Sequence, residues 1–567
     1  MSDLDERAAQ LLASELKLTA PVCRVLCARN LHDPEAARSF LSPKLEDLHD
    51  PQTMRGLPEA AERLHRAIER REKVLIYGDY DADGTTSIVI LKKAIELAGG
   101  TASFHVPHRL REGYGMRSEV VERAAAENVS LIVSVDTGIR AAPVVRRACE
   151  LGIDVIITDH HLPEAELPPA LAVLNPNQPD CPYPDKNLCG AGVAFKLIHG
   201  LFALLKWPEE RRRKVLASFL KIVAIATVAD VAPLTGENRI IVRHGLEGLR
   251  SVSNTGLRAL MKVAGIADRT APSAGQVAFR IAPRINAAGR MDTAEQAIEL
   301  FLTGDPERAR ALAEALNARN AERRSAEAGI VKEILDGCGP ENADASALVF
   351  ASEGWHEGVL GIVAGRLVER FHRPAFVLAC NGDEGIARGS GRGIAGFHLL
   401  EALESMAGLF TRFGGHRQAA GLTMPLGNVE RFRESLNAYA ANLLAPEDLT
   451  PRLTLDACLD LEEIGDRAVS DTFLLGPFGF GNPSPVFLVR CAELTEPPLA
   501  GSDNRLRLVV NQRNRKMAIR GWNLAHRAAQ LKKGAVLDLA LTFREDPYSE
   551  AQGGPCWTAE LRDFRNS

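Results

Sequence analysis

Three apolar runs in this chain end in residue types that hold divalent metal ions. Val74-Leu-Ile-Tyr-Gly leads into Asp79-Tyr-Asp81-Ala-Asp83-Gly84. Leu131-Ile-Val-Ser-Val ends at Asp136, and Val155-Ile-Ile-Thr ends at Asp159-His160-His161. A helical stretch brings one more acid, in Thr227-Val-Ala-Asp230. Carboxylates with one or two imidazoles suit Mn²⁺ or Mg²⁺ better than a soft-ligand metal. These groups suffice for two ions with one aspartate bridging. Such a pair, about 3.5–4 Å apart, deprotonates a shared water and neutralises an attacked phosphate, so hydrolysis of a phosphoester or phosphoanhydride is predicted. His161, beside His160, would contact the phosphate or protonate the leaving oxygen. An EF-hand calcium loop also opens Asp-x-Asp-x-Asp-Gly, but it needs a Glu at its twelfth position. Counted from Asp79 that position is Ile90, and the motif follows a strand-like run, so the calcium-loop reading fails.

Strand–helix alternation must position these acids. Val74–Tyr77, Ser103–Val106, Leu131–Val135, Val155–Thr158 and Leu171–Leu174 read as strands. A helix over Thr85–Leu97 is closed by Gly99-Gly100. The pattern means a mainly parallel sheet covered on both faces, with ligands at the carboxyl ends of its strands. Residues 191–229 read as helices, and an Ala-, Glu- and Arg-rich helix from Pro306 to Leu335 reads as a rigid spacer. Alternation restarts with Ala347–Phe350, a helix over Val359–Phe371 and Ala375–Leu378, which predicts a second, smaller α/β unit. From about 450, short alternating segments such as Arg505-Leu-Arg-Leu-Val-Val-Asn predict an all-β barrel. Five segments result: 1–70 helical and connective, 71–300 the metal-binding α/β domain, 301–340 the connecting helix, 341–448 the smaller α/β domain and 449–567 the barrel.

The second α/β region carries phosphate-handling parts without acids. Phe413-Gly414-Gly415-His416-Arg417 and Gly389-Ser390-Gly391-Arg392-Gly393 read as glycine-rich turns whose amides could cradle an anion. Trp355-His356-Glu-Gly358 opens a helix whose positive end could face a phosphate. Arg109, in His108-Arg109-Leu-Arg111-Glu-Gly113-Tyr114-Gly115, and Arg284 and Arg290, in Pro283-Arg284-Ile-Asn286-Ala-Ala-Gly289-Arg290, read singly as surface ion-pair formers.

Composition narrows the class. With 567 residues, 46% hydrophobic and 25% charged, the chain reads as a multidomain globular protein. No run of about 18 uncharged apolar residues suggests a membrane span. The opening Met-Ser-Asp-Leu-Asp-Glu-Arg lacks the order of a signal peptide, so a cytoplasmic location is expected. Ten cysteines without a Cys-x-x-Cys pair read as reduced, structural thiols. A net charge of −5 does not announce a nucleic-acid binder, nor does it exclude a basic groove.

Taken in order, Asp79-Tyr-Asp-Ala-Asp-Gly, Val135-Asp136-Thr-Gly, Asp159-His160-His161 and Val228-Ala-Asp230 resemble the four motifs of the DHH phosphoesterase family. Gly414-Gly415-His416-x-x-Ala-Ala-Gly421 resembles the signature of the DHH-associated domain. Val106-Pro-His-Arg-Leu-Arg-Glu-Gly-Tyr-Gly115, Ala191-Gly-Val-Ala-Phe-Lys196 and Pro477-Phe-Gly-Phe-Gly-Asn-Pro483 are similar to the branch that degrades single-stranded DNA from its 5′ end.

The resemblance implies an α/β fold: a parallel-sheet DHH domain, a long connecting helix, a smaller α/β DHH-associated domain and a C-terminal all-β OB-like barrel. It implies two Mn²⁺ or Mg²⁺ ions held by Asp79, Asp81, Asp83, Asp136, His160 and Asp230, with Asp136 bridging. Asp159 and His161 would act behind those ligands or on the phosphate. Arg109, Arg284 or Arg290, Ser390, Arg392 and His416 would hold the 5′ phosphate and first nucleotides. Gly393 stands where relatives commonly have serine. The barrel would grip single strands by electrostatics and stacking, with Phe480, Trp522 and Trp557 as stacking candidates beside a packing role.

The activity expected is a 5′-to-3′ exonuclease releasing nucleoside 5′-monophosphates in DNA recombination and repair. It would act as a monomer beside a helicase and a single-strand-binding protein. Two other readings stand: a DHH phosphoesterase acting on short oligonucleotides or small nucleotides, and an inactive single-strand-binding scaffold.

Overall fold

A computed structural model describes residues 3–109, 112–113, 115–291, 293–339, 345–546 and 555–567; Leu110, Arg111 and Tyr114 of the Val106–Gly115 motif lie outside the described residues. The first sheet holds β1 (Val74–Tyr77), β2 (Ala102–His105), β3 (Leu131–Val135), β4 (Asp154–Thr158) and β5 (Ala172–Leu174), in the order β2-β1-β3-β4-β5. All its pairings are parallel. β1 and β3 are buried at every position, as expected of unalternating Val/Ile/Leu runs covered on both faces. Within β1 the residues still divide by face. Val74 and Ile76 pack with the helices Ala82–Leu97 and Gly190–Leu204, whereas Leu75 and Tyr77 pack with Ser118–Ala126 and Ala142–Glu150. Strand order reverses between β1 and β3, where a crevice opens at the carboxyl ends.

The helix Pro306–Asp336 is 31 residues long and is more than the spacer expected. Ala309, Leu312, Ala313 and Leu316 are buried in the core of the first sheet, while Ile330 and Ile334 are buried in that of the second. The second sheet, in the order β6-β7-β8-β10-β9, contains β6 (Leu348–Glu353), β7 (Ala375–Asn381), β8 (Ile386–Arg392), β9 (Arg412–Gly415) and β10 (Ala419–Pro425). Gly389–Arg392 is therefore strand rather than the turn expected from its glycines. β8 pairs with β7 and β10 along its whole length, and glycines are tolerated there because neighbouring side chains occupy the space a Cβ would need.

Beyond residue 456 come β11 (Ala457–Cys458), β12 (Phe487–Leu494), β13 (Leu499–Ala500), β14 (Arg505–Gln512), β15 (Arg515–Trp522), β16 (Val536–Glu545) and β17 (Trp557–Asn566). They run β11-β12-β16-β17-β15-β14-β13, and a β12–β14 pairing closes a ring, the partly closed barrel of an OB-like fold. Its core includes residues from the other end of the chain: Leu12, Val22, Val25 and Leu26 pack with Leu461, Val489 and Leu508. Arg24 pairs with Glu463, Arg29 pairs with Asp456 at 3.2 Å, and Thr19 N–H donates to Asp471. Among the described residues no helix is long and apolar enough to cross a membrane.

Candidate active site

The crevice gathers the acids because each β-strand stops one or two residues short of them. Asp81 caps the helix Ala82–Leu97, its Oδ1 accepting from Asp83 N–H at 2.8 Å and Gly84 N–H at 3.0 Å. The helix thus starts three residues earlier than Thr85, and Asp83 is held in its first turn. Gly84 is required there, since a Cβ would fall 2.6 Å from the Asp79 carbonyl oxygen. Asp136 leaves β3 with φ +58°, a left-handed conformation that aspartate tolerates better than bulkier residues, and its N–H donates to Thr158 O at 2.9 Å.

Ligand-bearing atoms converge in three groups: Asp79, Asp81 and Asp136; Asp83, His160 and Asp230; and Asp136, His160 and His161. Asp136 and His160 are each shared by two groups, and Asp136 Oδ1 lies 3.2 Å from His160 Nε2. Asp159 is fully buried and stands behind the histidines. Its carboxylate accepts from the N–H groups of Ile139, His160 and His161, and contacts His161 Nδ1 at 2.7 Å. That contact fixes the His161 ring so that it lines a cavity of about 280 Å³ with Asp79, Asp81, Asp83, Asp136 and Asp230.

The electrostatics describe a site short of positive charge. Burial, followed by neighbouring aspartates, pushes Asp83 up to about 7 and Asp230 up to about 9, and raises Asp79 and Asp136 well above the ordinary carboxylate range. Burial, then His161, pushes His160 down to about 4, which leaves a neutral imidazole able to ligate. Asp159 goes the other way: burial raises it, but the hydrogen bond and charge of His161 outweigh burial and hold it low. Buried oxygens Asp79 Oδ1 and Asp136 Oδ1 accept no hydrogen bond. Repelling carboxylates, orphaned oxygens and a neutral histidine fit a pair of divalent cations.

Arginines close the other side of the cavity. Arg109 and Arg290 line it, and Arg109 sits over the Tyr80 ring at 5.0 Å. Burial, then the nearby charge of Arg109, lowers both Arg290 (to about 10) and Arg392. Arg392 Nη1 lies 3.3 Å from Ser390 Oγ on one face of β8, and Arg290 donates to Gly358 O at 3.3 Å. Guanidinium groups massed this way call for an anion. His416 approaches from the second domain; burial first, then the charges of Arg140 and His161, lower its pKa. Arg284 is directed elsewhere, bonding Asn317 Oδ1 at 2.9 Å and the carbonyls of Arg280 and Val263, and it does not line the cavity.

Sequence reasoning passed over Asn286, which lines the cavity while its Oδ1 accepts from Ala82 N–H at 2.7 Å. Its place inside the arginine motif was the available signal. An apolar groove of about 470 Å³ shares Asn286 and Ala229 with the acid cavity and includes the exposed Phe279 and Phe480. Trp522 is also exposed, under Arg505 at 4.7 Å. Trp557 is not a surface platform: it is buried against Phe543 and donates to Asp466.

Known proteins share this domain organisation. The family model for the DHH family, N-terminal domain, matches residues 73–227, that for the DHHA1 domain 344–442 and that for the RecJ OB domain 455–552. The single-stranded-DNA-specific exonuclease RecJ of Dickeya dadantii is 40% identical over 478 residues, covering 81% of this chain and 82% of the relative. That of Bacillus subtilis is 38% identical over 533 residues, and this chain spans 66% of its length while 94% of the chain is matched. The crystal structure of RecJ in complex with Mn²⁺ from Thermus thermophilus superposes with a TM-score of 0.84 at 31% identity, covering 99% of this chain and 78% of the other. The three domains thus recur together, and this chain belongs to the RecJ branch of the DHH phosphoesterase family.

Proposed function

We propose that this chain is a two-metal exonuclease that removes nucleoside 5′-monophosphates from the 5′ end of single-stranded DNA. One observation carries the reading: an acid cavity able to hold two ions and a cluster of half-buried arginines face each other across a single crevice. In this reading Asp79, Asp81 and Asp136 hold one Mn²⁺ or Mg²⁺, and Asp83, His160 and Asp230 hold the other, with Asp136 within reach of both. When bound, such ions lower the pKa of a water between them and neutralise charge on the attacked phosphate. His161, braced by Asp159, is placed to donate to a phosphate oxygen or to the departing 3′ oxygen. Arg109, Arg290, Arg392 and Ser390, with His416 above His161, bind the terminal 5′ phosphate and so set the polarity. Bases of the following nucleotides lie along the apolar groove beside Phe279 and Phe480, toward the OB-like barrel.

The same proposal places the enzyme in the cytoplasm as a monomer, in recombination and repair, with a helicase and a single-strand-binding protein supplying its strand. An oligonucleotide labelled at either end, incubated with Mn²⁺, Mg²⁺ or chelator, tests the chemistry. Mononucleotide released at once from the 5′ label, with the 3′ label surviving on shortening products and no reaction in chelator, is the expected result. Cleavage confined to dinucleotides or bisphosphates would transfer the activity to small substrates, and binding without cleavage would make the protein a scaffold.

A further inference from the structure

The segment Gly190-Ala191-Gly192-Val193-Ala194-Phe195-Lys196 lends no side chain to the cavity, yet it begins directly against two of the candidate ligands. Gly190 opens the 15-residue helix Gly190–Leu204. The first N–H groups of a helix have no partner within it and carry partial positive charge. Here Gly190 N–H donates to Asp83 Oδ2 at 2.6 Å, and Ala191 N–H donates to Asp83 Oδ1 at 2.8 Å. With Asp83 only 1% exposed, water offers these donors little competition.

Gly190 also lies beneath Asp136. A Cβ at Gly190 would fall 2.6 Å from Asp136 Cβ and 2.8 Å from its Oδ1. That oxygen is buried and accepts no hydrogen bond; its polar neighbour is His160 Nε2, another candidate ligand, at 3.2 Å. One helix end therefore grips an acid of one ligand group and bounds an acid of the other. The helix is fixed in turn by Lys196, fully buried, which pairs with Glu237 and donates to His49 O at 2.9 Å. Tyr183 donates its hydroxyl to the other Glu237 oxygen. A buried ion pair of this kind is weak evidence for net stability. What its bonds do here is tie the helix, two turns in, to Glu237 and to the chain at His49.

We propose that Gly190 and Ala191 are positioning residues of the metal centre. Their N–H groups hold the Asp83 carboxylate, and the missing side chain at Gly190 leaves Asp136 its place, so both ligand groups stand ready before an ion arrives. The inference rests on the two-ion reading of the site.

The test is a Mn²⁺ titration of the metal-free full-length protein, following free Mn²⁺ by its EPR signal and recording Tm in parallel. Ala191→Pro deletes one donor to Asp83 without breaking an intrahelical bond, since first-turn N–H groups have no partner within the helix, but its ring must fit a fully buried position. Where the parallel Tm shows a folded protein, it should bind Mn²⁺ at least about tenfold more weakly, the scale of a hydrogen bond to a charged group. The Mn²⁺ concentration for half-maximal nuclease activity should rise in step, with turnover restored at excess Mn²⁺. Gly190→Ala keeps both donors but intrudes on Asp136, and should weaken Mn²⁺ binding by at least the same factor; it decides the matter alone if Ala191→Pro does not fold. Binding curves superimposable on that of the unaltered protein would overturn the inference while leaving the two-ion reading intact. An unaltered protein that takes up no Mn²⁺ would overturn both.

Discussion

Asp136 belongs to two of the three ligand groups, and one of its buried oxygens accepts no hydrogen bond, so its side chain is the sharpest single probe of the site. Asp136→Ala should cut hydrolysis by at least about 10²–10³-fold, the range expected when one preorganised charge-stabilising group is lost. Binding of single-stranded DNA, measured by fluorescence anisotropy, should be largely kept, because the arginines are untouched. Unchanged turnover would remove the metal assignment. The acids also make a pH prediction. Burial and then mutual repulsion push Asp83 up to about 7 and Asp230 up to about 9. Unfolded aspartates titrate near pH 4, so between roughly pH 4 and pH 9 the folded, metal-free protein holds more protons than the unfolded chain. Its stability must then fall as pH rises through that window. The Tm of chelator-treated protein should drop from pH 5 to pH 9, Mn²⁺ should reverse the drop, and Asp136→Asn should flatten it. At this scale the acids and histidines were legible because their chemistry is written in residue type. Asn286 and Gly190 were not, because their roles depend on an amide hydrogen bond and on an absent Cβ.

Strand β8 shows how an element turns residue spacing into a site. Its side chains alternate, so Ser390 and Arg392 share one face while Gly391 turns to the other, toward Phe376. A Cβ on Gly391 would meet the Phe376 ring at 2.4 Å, and that ring is buried edge-on against Phe432. Gly391→Ala should therefore overpack the core by about 1–3 kcal/mol, lowering Tm. By shifting Arg392, it should also reduce the preference for 5′-phosphorylated over 5′-hydroxyl oligonucleotides in competition assays. A Tm loss with that preference intact would detach Arg392 from the 5′ end. The glycines here read as a turn in the sequence, since a strand that makes room for a ring through missing side chains leaves no local signal of extension. Unbroken apolar runs such as Leu131–Val135 were legible for the opposite reason, their pattern being set by burial on both faces. Residue pattern alone starts the helix Ala82–Leu97 three residues late, because Asp83 looks like a ligand and not like a first-turn residue held by an Asp81 cap.

At the scale of the whole molecule, the barrel and the chain's first helices form one core, which neither segment announces by itself. Leu12, Val22, Val25 and Leu26 are buried with Leu461, Val489 and Leu508, and Arg24, Arg29 and Thr19 each bond to the same region. Sequence patterning gives each segment an apolar face but not the partner for it, since the two lie more than 400 residues apart along the chain. The consequence is specific. A fragment of residues 449–567 exposes the apolar surface that residues 3–41 cover, and at roughly 25 cal/mol per Å² of lost burial a domain of this size has little margin. Such a fragment should be aggregation-prone and show poor dispersion of its amide NMR spectrum, whereas adding the peptide 3–41 in trans, or joining it by a flexible linker, should restore a cooperative thermal transition. Disrupting the join in the intact protein by Val22→Asp should leave hydrolysis of a short oligonucleotide, which needs only the crevice, nearly unchanged. It should impair degradation of long strands, which also draw on the barrel. Equal loss on both substrates would mean that the barrel supports the crevice itself, and a well-folded isolated 449–567 would show that the shared core is contact without dependence.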